Sequence, residues 1–270
     1  MNALQKFIYG LDKQFHIAVG LDSDINKIPE HLKKEKDPVY EFNKIIIENT
    51  KDLACSYKVN LAFYESDGIE GLKSLEKTLE LIPEDVLTIG DAKRGDIGNT
   101  SKMYARSIFD HFKFDSITLH PYMGSDSVSP FVEYNDKLNF ILALTSNKGS
   151  ADFEKLALED GTFLYQKVIK TVHDWNEHKN CGIVFGATNP EELKTNMEII
   201  GNLPVLLPGV GAQGGSLEDV VETFKTAGSR NFIINVSRGL IYADSSENFG
   251  AVTRAELEKY NKKIGEILGK

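Results

Sequence analysis

Leu87-Thr88-Ile89-Gly90-Asp91-Ala92-Lys93-Arg94-Gly95-Asp96-Ile97-Gly98-Asn99-Thr100 passes from a β-branched apolar run into a dense cluster of charge. The first part reads as a buried strand, and a strand built for stability alone would not end in so many charges. Side chains alternate across a strand, so Asp91 and Lys93 are expected on the same side, with Asp96 following beyond a Gly95 hinge. Two carboxylates would then bracket one ammonium. Neighbouring negative charges favour the charged form of a lysine and keep it a proton donor where water is scarce. A lone D-x-K would equally suit a surface ion pair, so the flanking chain has to decide between the two.

On either side of this stretch, apolar runs alternate with amphipathic ones in about eight pairs. Strands are expected at His16 to Leu21, Cys55 to Val59, Val86 to Gly90, Ser116 to Leu119, Phe140 to Leu144, Gly182 to Phe185, Val205 to Leu207 and Phe232 to Asn235. Helices are expected from about Pro38 to Lys51, Asp67 to Leu81 and Asn99 to His111, with a short one after Asp126. A long helical region from Phe153 to Trp175 is interrupted near Gly161, Asn189-Pro190 looks like an N-cap with proline at the first helical position, and the last helix is Arg254 to Leu268. Eight β-then-α units without a linker or composition shift point to the α/β class and a single-domain (β/α)8 TIM barrel spanning 1–270. The same alternation permits an open doubly wound sheet, but the count of eight favours closure. Leu4, Phe7, Ile8 and Leu11 at helical spacing predict a helix over Ala3 to Asp12 that closes the barrel's bottom.

Composition narrows the function classes. The 270 residues carry a formal net charge of -9, with 41% hydrophobic and 26% charged residues. An acidic balance argues against general nucleic-acid binding, which needs a basic surface to displace counterions. No apolar run approaches membrane-spanning length and the N-terminus lacks a signal-peptide layout, so a cytoplasmic enzyme with no membrane partner is expected. Cys55 and Cys181 sit in apolar runs far apart and read as buried reduced thiols. His173 and His178, five apart around Trp175, suit a solvated helix end better than zinc, and no metal site is expected.

In such a barrel the chemistry lies at the C-terminal ends of the strands. Those ends are Asp22, Lys58 with Asn60, Asp91 with Lys93, His120-Pro121, Thr145-Ser146-Asn147, Ala187-Thr188, Pro208-Gly209 and Ser237-Arg238. After the seventh strand, Pro208-Gly209-Val210-Gly211-Ala212-Gln213-Gly214-Gly215 forms a glycine-rich turn running into a helix at Ser216. Backbone N–H groups in such a turn can approach an anion, and the guanidinium fork of Arg238 suits phosphate.

The pattern D-x-K-R-G-D-I-G-x-T resembles the signature of orotidine 5'-phosphate decarboxylases. Leu119-His120-Pro121-Tyr122-Met123-Gly124, Leu144-Thr145-Ser146-Asn147, Gly186-Ala187-Thr188, the Pro208 loop and Val236-Ser237-Arg238-Gly239 follow in family order, over nearly the whole chain. The length resembles the longer-chain group. The resemblance implies conversion of orotidine monophosphate to uridine monophosphate, the last step of pyrimidine biosynthesis, without metal or organic cofactor. Lys93 would protonate carbon 6 as carbon dioxide leaves, Asp91 would sit beside the departing carboxylate, and Lys58, Asp91, Lys93 and Asp96 would form an alternating array. Asp22, Lys58 and Asn60 would address the ribose and Ser146 the pyrimidine, which Pro208 would flank. Gln213, Arg238 and the Ser237 backbone would hold the phosphate, although many relatives have glycine where Ser237 stands. In the family, Asp96, Ile97 and Thr100 reach into the neighbouring subunit's site, which implies a homodimer.

Two rivals remain. Sibling barrels such as 3-keto-gulonate 6-phosphate decarboxylase or hexulose phosphate synthase share a D-x-K-x-x-D core but use magnesium. Their second strand ends in a metal-binding glutamate where this chain has Lys58, which would repel a dication. A non-catalytic phosphate-binding barrel would have little use for Asp91, Lys93 and Asp96 together, since burying such charges is costly.

Overall fold

Each apolar run becomes a parallel strand: β1 Ile17–Gly20, β2 Ser56–Asn60, β3 Leu87–Arg94, β4 Ser116–Leu119, β5 Leu138–Leu144, β6 Cys181–Phe185, β7 Val205–Leu207 and β8 Phe232–Val236. In the computed structural model, which describes residues 1–211 and 214–269, these strands pair in sequence order and β8 returns to β1, closing the barrel. Helices pack around it, with the open-sheet alternative excluded by the β1–β8 pairing.

Strand alternation divides the core in two. Ile17, Val19, Ile117, Leu119, Ile183, Val205, Leu207 and Ile234 pack outward with the helices. Their neighbours Ala18, Leu87, Ile89, Leu138, Phe140, Val184, Leu206 and Ile233 point into the barrel. Phe7 and Leu11 of the helix Ala3–Asp12 join that inner cluster. The expected bottom-closing helix is therefore present, and a capping box between Asn2 and Gln5 starts it. Gly10 lets it lie close to β2, because a Cβ there would stand 2.7 Å from Cys55 Sγ. Both cysteines are buried free thiols, and burial pushes each up to about 12.

Several expected boundaries shift. β3 continues to Arg94, four residues past Gly90, because Arg94 still pairs with Leu119 after an irregularity in register. The helix after it, Gly98–Arg106, passes into a π-helical turn at Ser107–His111. Only Leu164–Trp175 of the long helical region is helix. Before it, Gly161 takes φ +80°, Asp160 accepts from the Thr162 N–H and hydroxyl, and Ala157 pairs with Phe163, so the chain folds back as a hairpin-like loop. The last helix begins at Phe249 rather than Arg254, since the Phe249 ring is buried 5.2 Å from that of Phe42. Pro190 opens the helix Pro190–Ile200 as expected, but the Asn189 side chain does not cap it. No helix among the described residues is long and apolar enough to cross a membrane.

Phe7 is 1% exposed, so Phe7→Ala should lower unfolding free energy by about 3–5 kcal/mol. Urea denaturation checks this, and activity per folded molecule should stay unchanged because the helix lies at the end of the barrel away from the charged strand ends.

Candidate active site

At the C-terminal mouth of the barrel a cavity of about 330 Å³ receives side chains from all eight strands or the residues just beyond them. Its wall is asymmetric. Asp22, Lys58, Asn60, Asp91, Lys93 and Thr118 line one side, from β1 to β4, whereas Leu142, Val184 and Leu206 supply an apolar floor from β5 to β7. The β5 loop, Pro208 and Asn235 complete the rim. Alternation explains the layering, since on β3 the inward positions run Leu87, Ile89, Asp91, apolar below and charged above.

Asp91 is the centre of the charged wall. Its Oδ2 accepts from Lys58 Nζ at 2.8 Å, and its Oδ1 accepts from Lys93 Nζ at 2.6 Å and from Thr118 Oγ1 at 2.9 Å. Lys58 is 3% exposed and also reaches Asp22 Oδ1 at 3.5 Å, while Asp22 Oδ2 accepts from Ser237 Oγ at 2.7 Å. Gly20 permits that last approach, because a Cβ there would fall 1.9 Å from Ser237 Oγ. Burial alone would raise the Asp91 carboxyl, but the attraction of Lys58 and Lys93 outweighs it and holds the group well below the usual carboxylate range. Burial alone would lower Lys58, and Asp91 with Asp22 overcome it, so its ammonium is held above the ordinary lysine value. Asp91, Lys58 and Lys93 therefore form a set whose charges support one another.

Within one chain Asp96 does not bracket Lys93 with Asp91; Asp91 lies between the ammoniums of Lys58 and Lys93, and the three alternate in charge. Asp96 makes no ion pair among the described residues, and its Oδ1 accepts from the Ile97 N–H at 2.8 Å. Asp91 and Lys93 do share a side, but not through regular pleating. Lys93 lies in the left-handed region with φ +46°, β3 is irregular between Gly90 and Arg94, and the Lys93 N–H donates to Thr118 Oγ1 at 3.0 Å. Gly95 is no hinge of positive φ; a Cβ there would stand 2.4 Å from His120 Nε2, so glycine makes room for that ring.

Of the other expected site residues, Asn60, Ser146 and Pro208 line the cavity, and Asn60 Oδ1 also accepts from the Ala62 N–H. Ser237 touches it through Asp22, while Ile97, Thr100 and Arg238 are exposed outside it. Gln213 lies outside the described residues. In the glycine-rich turn the N–H groups of Gly211, Gly214 and Gly215 bond to Gly215, Gly211 and Gly209 carbonyls, an internal use the sequence does not announce.

Thr118 and Asn235 are cavity residues that inspection of strand ends passes over, because both lie inside strands, at inward-facing positions. Among the described residues, the buried Asn235 Oδ1 has no hydrogen-bond partner. Tyr64 and Tyr242 hold the β1 loop from two sides. Tyr64 donates to the Leu21 carbonyl at 3.1 Å, and Tyr242 donates to the Asp22 carbonyl at 3.0 Å while accepting from the Asp24 N–H at 2.7 Å.

Residues 16–250 match the model of the "Orotidine 5'-phosphate decarboxylase / HUMPS family". The chain belongs to that family. It is 46% identical to an orotidine 5'-phosphate decarboxylase of Phocaeicola vulgatus over 99% of both chains. Among solved structures, Leishmania donovani OMP decarboxylase superposes with a TM-score of 0.86 at 34% identity, covering 100% of both chains. Leishmania donovani UMP synthase gives 0.87 at 37% identity, and this chain spans 99% of its own length but 57% of that longer protein.

The array carries a pH signature. Asp91's folded carboxyl is depressed, so its contribution to stability is present above the free carboxyl value of about 4 and is lost as pH falls toward the folded value. Asp91→Asn should cost about 3–5 kcal/mol at neutral pH, because Lys58 stays buried with a weaker partner. Below about pH 4 the variant's stability should fall less steeply than the wild type's, by up to about 1.4 kcal/mol per pH unit. Denaturant titrations from pH 2 upward, roughly the acid limb, compare the two slopes.

Proposed function

We propose that this protein decarboxylates orotidine 5'-monophosphate to uridine 5'-monophosphate and carbon dioxide without metal or cofactor, in the cytoplasm, as the closing step of pyrimidine biosynthesis. The observation that carries the reading is Asp91 held between Lys58 and Lys93 on the wall of a cavity whose opposite floor is apolar. When the bond from carbon 6 to the carboxylate breaks, its electron pair stays on carbon 6 as a poorly delocalised carbanion. The Lys93 ammonium meets that charge at a fixed position and transfers its proton there, so little reorganisation is needed. Asp91 lies next to the departing carboxylate and loses the repulsion as carbon dioxide leaves.

Binding is divided along the same wall. Asp22, Lys58 and Asn60 address the ribose hydroxyls, and Ser146 contacts the pyrimidine that Pro208 flanks. Arg238, Gln213 and the Ser237 backbone take the phosphate. Binding energy from the phosphate end serves to order the loops around the reacting carbon.

The working unit in this reading is a homodimer. Asp96, whose carboxylate makes no ion pair with its own chain's Lys93 among the described residues, completes the array of the partner's site together with Ile97 and Thr100. Support comes from the helix Gly98–Arg106 and its first cap, where Ile97, Thr100 and Tyr104 at helical spacing are exposed, Ile97 at 54% and Tyr104 at 38%.

Lys93→Ala tests the proton donor. Turnover of orotidine monophosphate should fall by at least about 10³-fold while uridine monophosphate binding persists. Near-normal turnover would contradict the assignment.

A further inference from the structure

The backbone that presents Ser146 is clamped by side chains with no part in the chemistry above. β5 ends at Leu144, whose carbonyl accepts the Gly186 N–H at 2.7 Å, so Thr145 is the first residue beyond the strand. Its N–H donates to Glu154 Oε2 at 2.7 Å, and its Oγ1 lies 2.9 and 3.0 Å from Glu154 Oε1 and Oε2 and 2.7 Å from Asn147 Oδ1. The Thr145 carbonyl accepts from Asn189 Nδ2 at 3.2 Å, and the Ser146 carbonyl accepts from Thr188 Oγ1 at 3.0 Å. Behind the segment, a Cβ on Gly186 would stand 2.7 Å from both Ser146 N and Cα.

Glu154 is itself fixed. Its carbonyl accepts from the Tyr165 N–H at 2.9 Å, which ties it to the start of the helix Leu164–Trp175. The adjacent Lys155 crosses to Asn189 Oδ1 at 3.0 Å and pairs with Glu192. Asn189 thus receives from Lys155 and donates to Thr145, which accounts for its failure to cap its own helix.

We infer that Glu154 is a positioning residue for the pyrimidine. Its carboxylate accepts the Thr145 N–H and faces the Thr145 hydroxyl, so it fixes the Leu144–Thr145 peptide and with it the course of the chain into Ser146, aiming Ser146 at the base. A charge-assisted bond from a backbone N–H to a carboxylate that also touches the same residue's hydroxyl fixes direction as well as distance. The loop between β5 and the helix Leu164–Trp175 is thereby part of the frame of the site, not a surface excursion. This rests on the pyrimidine contact proposed for Ser146.

The test is a double-mutant cycle of Glu154→Ala with Ser146→Ala, read as kcat/KM for orotidine monophosphate and as inhibition by ribose 5-phosphate, which lacks the base. Glu154→Ala should lose about ten- to a hundredfold in kcat/KM, as expected for a contact misplaced by about 1 Å. Glu154→Gln, whose amide oxygen still accepts one bond, should recover part of the loss, and it replaces the alanine variant in the cycle if that one does not fold. Ribose 5-phosphate should inhibit all folded variants equally. In the Ser146→Ala background the same change should cost less than about twofold, because the residue it acts through is gone. Equal losses in both backgrounds, or weakened ribose 5-phosphate binding, would overturn the inference with the decarboxylase reading intact. Absence of wild-type turnover would overturn that reading and the inference together.

Discussion

A lysine ammonium buried at the inner wall of a barrel costs several kcal/mol unless charges meet it, and Lys58 is such a group. Asp91 meets it most closely and Asp22 supports from the other side. Much of the site's construction follows from keeping that arrangement whole. Ser237 steadies Asp22 across the β1–β8 seam, and only glycine at position 20 leaves room for its hydroxyl. Thr118 shares Asp91 Oδ1 with Lys93 and accepts the Lys93 N–H. That bond helps hold Lys93 in the left-handed conformation, which residues other than glycine adopt uncommonly.

The side of the cavity without charge is equally constrained. Leu142, Val184 and Leu206 offer water no hydrogen-bonding group at the floor, and an apolar surround strengthens the field of charges facing it. Above that floor, Thr145 and Ser146 leave the ladder and need new partners for their polar groups, which Glu154, Asn189 and Thr188 provide. One half of the mouth is therefore ordered by ion pairs within the strands, and the other by bonds from loops that reach back.

Barrel closure was legible in the sequence because the apolar runs, alternating with amphipathic stretches, number eight, a count that favours a closed barrel over an open sheet. The array was legible in its members, since Lys58, Asp91 and Lys93 sit at strand ends where barrel chemistry is expected, but not in the backbone geometry that joins them. A regular strand places Asp91 and Lys93 on one side without revealing that β3 continues to Arg94 through an irregularity, or that Asp96 turns to the Ile97 N–H. Thr118 and Asn235 escaped for a related reason: inside a short strand a polar residue is silent until one knows which face is inward. Glu154 gave no local signal at all. It lies nine residues from Thr145 in a segment whose helical spacing suggested a helix, and Gly161 with the Asp160–Thr162 turn folds that segment back instead.

If the proposed function holds, the Lys58–Asp91–Lys93 array removes a carboxylate from a pyrimidine nucleotide without metal. The most direct measurement is the change in orotidine monophosphate absorbance on adding purified wild-type protein, with and without a metal chelator. Conversion to uridine monophosphate should proceed at the same rate in both. Conversion abolished by the chelator, or no conversion in either, would contradict the proposed function.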